Sequence, residues 1–457
     1  MADEKNIGDQ HNNTDPKQKF EVEIPGKRQY DIVVLGASGF TGKRVVIELA
    51  RMSQKYSLTW AVAGRNDIKL QEVLDNVNTF VDDFDAKQIG IINATIENFK
   101  SLEQMASITS VLINCVGPYY IYGEVVVKAC ISNRTHYVDV TGESLFMETM
   151  VHKYNSEAEK NNVVIASALG MESVPADLGV EYLYQKFNGD LQNIDIYMKL
   201  YASAFEFSSS GMIHVGTWAS AIIHFATANE RVKMRQLLDE SIGITTRPKP
   251  NITKILHKQE IGNHIQWCVP FPEPDQAVIA RSLHHAKTVE KRNINFEVRN
   301  YMVFGYLISA IIGLFVFVFL SFMSTFTPLK NLFIRFPRLF SLGVVSNQGP
   351  TERIMENSRM SLTLIGRGTT SIDNTNSKKD IRTTIARIKV KNPGYGFTSK
   401  AVVLGAVTLI KDNITNGGVL TPASAFRKTD YMKRLIENDA ATFEIISETV
   451  NSKPHTE

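Results

Sequence analysis

The feature that most constrains this chain is a short apolar run that ends in three closely spaced glycines. Residues 31–35 read Asp-Ile-Val-Val-Leu, a stretch fit for a strand buried on both faces. Directly after it comes Gly36-Ala-Ser38-Gly39-Phe40-Thr41-Gly42. Residues 43–51 follow, where Val46, Ile47 and Ala50 share one helical face. The glycine spacing alone is a weak signal, and its place between a strand and a helix is what gives it a physical meaning. Gly36 permits a tight turn, Gly39 leaves room for a diphosphate near the backbone, and Gly42 lets helix and strand pack closely. The start of the helix then offers unpaired N–H groups and a positive dipole end to that diphosphate.

Downstream, strands are expected at 58–63, 90–92, 111–116, 137–140 and 163–167, with helices at 67–77, 101–106, 123–132 and 147–161. This alternation implies an N-terminal Rossmann domain with a doubly wound parallel sheet over 28–177. The pattern then changes. Ile194, Ile196, Met198 and Leu200 alternate with polar residues, as do Leu362 and Leu364, and Ile381, Ile385 and Ile388 flank a similar run to Val390. These are half-buried strands, the last two joined by a polar loop at 366–379, so a second α/β domain with an antiparallel sheet is expected over 178–400. Helices at 399–410 and 423–436 should pack back on the domains, within a C-terminal part at 401–457. Residues 1–27 are polar, lack the apolar core of a secretory signal, and read as a disordered tail.

In an open α/β sheet the ligand lies beyond the carboxyl ends of the strands. The turn residues Gly36, Ser38, Gly39, Phe40, Thr41 and Gly42 are therefore expected to hold a nicotinamide dinucleotide. The second strand ends in Gly64-Arg65-Asn66, with no acid before Asp67. A guanidinium there suits a 2′-phosphate and favours NADP, whereas Asp67 is the residue that would serve NAD. After the fourth strand, Gly117 and Pro118 bring backbone to the nicotinamide side. Tyr119 and Tyr122 either stack or donate a proton there, or pack at a domain junction. Asp139 and Glu143, after the fifth strand, either take a proton and hold substrate or cap their own loop. Cys115 lies in an apolar strand and reads as packing. Cys115, Cys130 and Cys268 are too few and too scattered for a disulfide framework or a zinc site, so no metal is expected. With 50 basic and 47 acidic residues and no clustered basic field, nucleic-acid binding is not expected either.

Taken together, several of these stretches resemble the saccharopine dehydrogenase-like oxidoreductases, a family related to trans-acting enoyl reductases. The matching residues are the turn 36–42 with Phe40-Thr41 inside it, Trp60-Ala-Val-Ala-Gly64-Arg65, Asn114-Cys-Val-Gly-Pro-Tyr119, Asp139-Val-Thr-Gly-Glu143 and Ser173-Val-Pro-Ala-Asp-Leu-Gly179. Later come Gly216-Thr-Trp218, the apolar stretch from Tyr301, Gln348-Gly-Pro350 and Gly417-Gly418-Val-Leu-Thr421-Pro422. The resemblance implies a Rossmann domain with an attached α/β domain and pyridine-nucleotide oxidoreductase chemistry. It also implies association with lipid droplets and other membranes, and a link to glycolipid or other lipid metabolism. It does not imply saccharopine turnover. Glu172 stands where the family pattern has Asp, and Thr95 where an acid follows the third strand.

Residues 301–329 carry no charge. As one helix they would reach about 43 Å, longer than the roughly 30 Å hydrocarbon core of a bilayer. Both flanks are basic: Lys287, Lys291, Arg292 and Arg299 precede the run, and Lys330, Arg335 and Arg338 follow it. A single span favours positive charge on one side only. The strands at 360–390 also complete a domain begun near residue 190, so both ends should lie on one side. A re-entrant or interfacial anchor with cytosolic ends is expected, with a buried core helix as the alternative. Pro328 and Pro337 would break the helix near the interface, and Phe333, Phe336, Leu339 and Phe340 beside Arg335 and Arg338 suit a headgroup layer.

The sequence thus reads as a membrane- or lipid-droplet-associated NAD(P)-dependent oxidoreductase acting on a small, lipid-like carbonyl or enoyl substrate. The cytosolic face of a membrane or a droplet surface is its expected location, and mitochondrial association and a homo-oligomer are both compatible with it. Two other readings stay open: a nucleotide-binding scaffold with little catalysis, and a true saccharopine reductase.

Overall fold

A computed structural model describes residues 28–201, 211–241, 255–262, 264–271, 275–370, 380–414 and 416–451. The tail expected at 1–27 lies outside the described residues. The first part of the chain runs β1 (Tyr30–Leu35), α1 (Phe40–Tyr56), β2 (Trp60–Gly64), α2 (Asp67–Val77), β3 (Gly90–Asn93), α3 (Phe99–Ser107), β4 (Thr109–Asn114), α4 (Tyr119–Ser132), β5 (His136–Asp139), α5 (Ser144–Lys160), β6 (Val164–Ala166) and α6 (Val174–Lys186). The second part begins β7 (Asp190–Tyr201), β8 (Ile213–His214), α7 (Val215–Ala226), α8 (Ala228–Ser241), β9 (His257–Ile261), β10 (His264–Pro270), α9 (Asp275–Thr288) and β11 (Glu297–Phe304). It continues α10 (Leu307–Ser324), α11 (Thr327–Arg335), α12 (Pro337–Phe340), β12 (Val345–Ser346), α13 (Glu352–Asn357), β13 (Arg359–Thr369), β14 (Ile381–Lys391) and α14 (Thr398–Lys411). The chain closes with β15 (Gly418–Leu420), α15 (Pro422–Phe426), α16 (Tyr431–Glu437) and β16 (Ala441–Asn451).

The first sheet is parallel throughout, in the order β15-β6-β5-β4-β1-β2-β3. Apart from β15, this is the order of a dinucleotide-binding sheet. Its strands are apolar at successive positions because both faces are covered. Ile32, Val34, Val62 and Ile113 meet Val45, Val46 and Leu49 of α1 and Ala401 to Val407 of α14. Val33, Leu35, Ala63 and Leu112 face Leu102, Val126, Phe146 and Met150 on α3, α4 and α5. The covering helix α14 and the edge strand β15 both come from late in the chain. The expected helix 423–436 is two short helices, and β15 and β16 were not anticipated. Three residues of β15 are too few to show a period.

The second sheet runs β16-β14-β13-β7-β11-β10-β9. It is mixed rather than wholly antiparallel. β11 lies parallel to β7, pairing Val298 with Ile194 and Tyr301 with Tyr197, and the long crossover through α7, α8 and α9 is what such a parallel neighbour requires. Ile194, Ile196, Leu362, Leu364 and Ile388 cover α6, so one continuous core joins the two sheets. β13 runs on to Thr369, through the first residues of the expected loop. Gly366 and Gly368 looked like loop residues, yet they sit in the strand where a Cβ would lie 2.5 Å from Leu183 and 2.0 Å from the Asp190 carbonyl. The remainder of that loop, 371–379, lies outside the described residues.

The uncharged stretch 301–329 is not one helix. Tyr301 to Phe304 end β11 and are hydrogen-bonded into the sheet. α10 then spans 18 residues, about 27 Å, which is long and apolar enough to cross a membrane. Only Ala310 and Ser324 of α10 are buried, and Phe315 is 68% exposed, which rules out the buried core helix. α10 packs on α7 and α11. The strands before and after this excursion, β11 and β13, belong to the same sheet.

Candidate functional site

The glycine turn follows β1 at the point where the sheet order reverses between β1 and β4. Gly36 takes a positive φ of 80°, and its N–H donates to the Ala63 carbonyl at 2.9 Å, tying the turn to β2. A Cβ on Gly42 would lie 2.2 Å from the Gly36 carbonyl oxygen, so no side chain fits there. α1 begins at Phe40 with no side-chain cap, whereas the Asn66 and Asn98 side chains cap α2 and α3. The first-turn N–H groups of α1, around Thr41 and Gly42, are therefore left to an external acceptor. Ser38 is half-buried beside them and Gly39 is exposed.

Arg65 directly follows β2 and is exposed, near Glu97, whose carboxylate is held ionised by the Thr95 hydroxyl. Asp67 accepts a hydrogen bond from the Asn93 amide at 2.9 Å. A guanidinium at this position suits a 2′-phosphate.

Beyond β4, Gly117 is exposed, and a cis Gly117–Pro118 peptide leads into α4. The Tyr119 ring turns inward, lies 5.9 Å from Phe146, and donates its hydroxyl to the Asn114 carbonyl at 3.0 Å. Burial, with the nearby Asp139 charge, drives that phenol well above its ordinary range. Glu143 caps α4: its oxygens accept the Tyr119 N–H at 3.0 Å and the Tyr120 N–H at 2.7 Å. Ser220 of α7 adds a third donor at 2.7 Å. Asp139 is fully buried and accepts from the Thr141 and Ala168 N–H groups and the Ser167 hydroxyl, each at 3.0 Å. Burial pushes its carboxyl up to about 6 despite those donors. The structure thus gathers Tyr119, Asp139 and Glu143 at the ends of β4 and β5, with backbone groups as their main partners. Tyr122, one turn further along α4, is the one of the four that is not buried. Cys115 is packed, and burial pushes its thiol up to about 12.

Sequence reasoning missed what the second half of the chain brings to this turn. The Phe40 ring stacks on His214 at 4.7 Å and meets Tyr395 edge-on at 4.8 Å. Gly349 lies against the same ring, where a Cβ would be 2.7 Å away. The Tyr395 hydroxyl accepts the His214 N–H at 3.0 Å and lies 3.4 Å from the Thr217 hydroxyl. His214 Nδ1 accepts the Gly216 N–H at 3.0 Å, and burial lowers its pKa, favouring the neutral ring. An Arg44–Glu352 ion pair adds a further tie. The motifs Gly216-Thr-Trp218 and Gln348-Gly-Pro350 were visible, but not their contact with Phe40. Among the described residues no group of three or more His, Cys, Asp or Glu is placed to hold a metal.

The chain is similar to known proteins along most of its length. Residues 32–166 match the saccharopine dehydrogenase NADP-binding domain. A saccharopine dehydrogenase-like oxidoreductase of Rattus norvegicus is 34% identical over 436 residues, 92% of this chain and 98% of that protein. A lipid droplet localized protein of Caenorhabditis elegans is 35% identical over 414 residues, 87% of this chain and 94% of that protein. The apo saccharopine dehydrogenase (L-Glu forming) of Saccharomyces cerevisiae shares the fold, with a TM-score of 0.52 over 92% of this chain and 100% of that one at 14% identity. Because the likeness runs through both sheets and beyond the nucleotide-binding residues, the chain belongs to the saccharopine dehydrogenase-like oxidoreductases, and its first domain binds NADP.

Proposed function

We propose that the protein is an NADPH-dependent oxidoreductase working at a lipid surface, a droplet or the cytosolic face of a membrane, on a lipid-like carbonyl or enoyl substrate. One observation carries this reading: α7 belongs to the cofactor crevice and to the apolar excursion at once. On one side Ser220 bonds Glu143 and Thr217 lies beside Tyr395. On the other, α7 packs on α10 and α11, with Phe225 edge-on to Phe317 at 5.4 Å and the Trp218 indole donating to the Phe333 carbonyl at 2.9 Å. A substrate held among the lipid-facing side chains thus lies one helix away from the nucleotide. The name of the Caenorhabditis elegans relative supports the same surface.

Bound NADPH supplies a hydride, and the protein's part is to bind, orient and exclude water. The first turn of α1 holds the diphosphate and Arg65 the 2′-phosphate. Glu143 and Asp139 hold the loops on the nicotinamide side in place. Tyr122 is the candidate for meeting substrate. The full hydrogen bonding of Asp139 and Glu143 favours a second reading, a nucleotide-binding scaffold with little turnover. An exposed apolar helix has no evident use for a soluble amino-acid substrate, so a true saccharopine reductase is the weaker reading. Titration of NADPH into the protein in mild detergent, followed by trials of keto, enoyl and acyl lipids, decides among them. Oxidation of NADPH by one lipid class supports the enzyme. Tight binding with no oxidation by any class supports the scaffold. Small molecules co-purifying with the protein would name the substrate.

A further inference from the structure

α11 and α12 meet at Arg335-Phe-Pro-Arg338, and this corner faces residues 346–348 across a cavity of about 820 Å³. The walls pair two guanidinium groups, Arg335 and Arg338, with the polar residues Ser346, Asn347 and Gln348. No Asp or Glu occurs between Glu297 and Glu352, while Arg299, Lys330, Arg335 and Arg338 all fall in that interval. No carboxylate of the described residues pairs with Arg335 or Arg338. The Arg335 guanidinium instead lies 5.6 Å over the Phe336 ring. Leu339 on the lining is 68% exposed, Leu342 three residues along the chain is 90% exposed, and α11 leads back directly to the exposed apolar face of α10.

Two arginines without a carboxylate partner, set in a cavity that Phe336, Pro337 and Leu339 also line, are suited to a phosphate joined to an apolar group, whose oxygens accept their forked N–H groups. The cavity opens to solvent and is wide enough to admit a headgroup. Apolar side chains at its rim, continuous with an exposed apolar helix, place the cavity at the depth where headgroups lie. We infer that this cavity seats the phosphoester headgroup of an anionic phospholipid whose acyl chains lie along α10. The inference rests on the lipid-surface reading above and adds the chemistry of the lipid. The site also adjoins the cofactor turn. β12 pairs with β8, setting Ser346 beside His214, and the Asn347 carbonyl accepts a hydrogen bond from the His214 ring, which stacks on Phe40. A headgroup in the cavity is therefore one side chain from the glycine turn.

The test uses the full chain and vesicles of phosphatidylcholine, with or without a minor fraction of phosphatidic acid. Binding is read by flotation, alongside NADPH affinity and thermal stability. Phosphatidic acid is expected to raise binding about tenfold, as two basic contacts at a surface allow. The R335Q/R338Q double variant should lose that gain while keeping wild-type binding to phosphatidylcholine and to NADPH. K330Q, outside the cavity, should keep the gain. The site is overturned if phosphatidic acid gives no gain, if the double variant keeps it, or if K330Q loses it equally, which would indicate diffuse charge. Loss of NADPH affinity in the folded double variant would make the arginines part of the cofactor site and overturn the proposal. Full displacement by inorganic phosphate would replace the lipid by a free anion and overturn it too. Failure to bind neutral vesicles at all would instead sink the lipid-surface reading, a separate readout.

Discussion

Asp139 shows what a single buried carboxyl does to this protein's response to pH. Its unfolded form titrates near 3.8 and its native form near 6, because burial outweighs the donors around it. Between those values the native state holds more protons than the unfolded chain, so stability falls as pH rises through that window and levels off above it. That difference between the native and unfolded carboxyl is worth on the order of 3 kcal/mol. Asp177, pushed up to about 6 by the same cause, adds a second contribution over the same window. Asp139→Asn keeps an acceptor for the two N–H groups and cannot ionise. It is expected to flatten part of the pH 4–6 slope in urea midpoints measured across that range, and an unchanged slope would contradict the account. Asp139→Ala strands buried donors and should cost about 3 kcal/mol or more at any pH. At the other side of the crevice, Arg65→Glu is expected to weaken NADPH relative to NADH by roughly 10- to 100-fold. Fluorescence titration of both nucleotides checks this, and an unaltered preference would remove Arg65 from the 2′-phosphate. Arg65 was legible as a residue just beyond β2, because an apolar strand has a readable end. Asp139 and Glu143 were not, because a carboxylate after a strand reads alike whether it moves a proton or holds a loop. Only its distance to backbone N–H groups tells the two apart.

At the scale of elements, α10 packs on α7 and α11 yet stays exposed along most of its length. Phe315 and Phe319 stack on each other at 6.1 Å on its exposed face. Phe315→Arg with Phe319→Arg should leave folding almost untouched, since surface changes usually stay within about 0.5 kcal/mol. The same pair should oppose insertion by about 2.5–3.5 kcal/mol per residue. The variant is therefore expected in the soluble fraction with a wild-type melting curve, and a variant that still sediments with membranes would move the anchor elsewhere. A deletion meant for the same purpose has to begin after Phe304, because Tyr301 to Phe304 hold β11 to its neighbours. The boundary was hidden in the sequence because a buried strand end and a lipid-exposed helix use the same apolar residues. Charge, the usual divider, is absent from both. The strand–helix alternation of the first sheet, by contrast, was legible almost element by element, since two covered faces demand continuous apolar strands.

Across the whole molecule, α6 is the shared element, covered by the inner face of the second sheet. Gly179 marks how tight that contact is: a Cβ there would lie 2.8 Å from Ile388 and 3.3 Å from Leu364. Gly179→Val should cost about 1–3 kcal/mol through overpacking, seen as a lower urea midpoint, and a neutral result would mean the two halves slide apart more easily than their packing suggests. The pairing of distant parts is also where sequence reading stopped. His214, Gly349 and Tyr395 converge on Phe40 only once both sheets are in place, and no local period announces such a meeting. β15 and α14 carry the point further, into biosynthesis. On a ribosome the strands up to β6 emerge early, yet the edge of β6 stays bare, and the face that α14 covers stays open, until nearly all of the polypeptide has been made. By then α10 has long left the exit tunnel. On the lipid-surface reading, the nascent protein would meet oil before it has a finished place for its nucleotide.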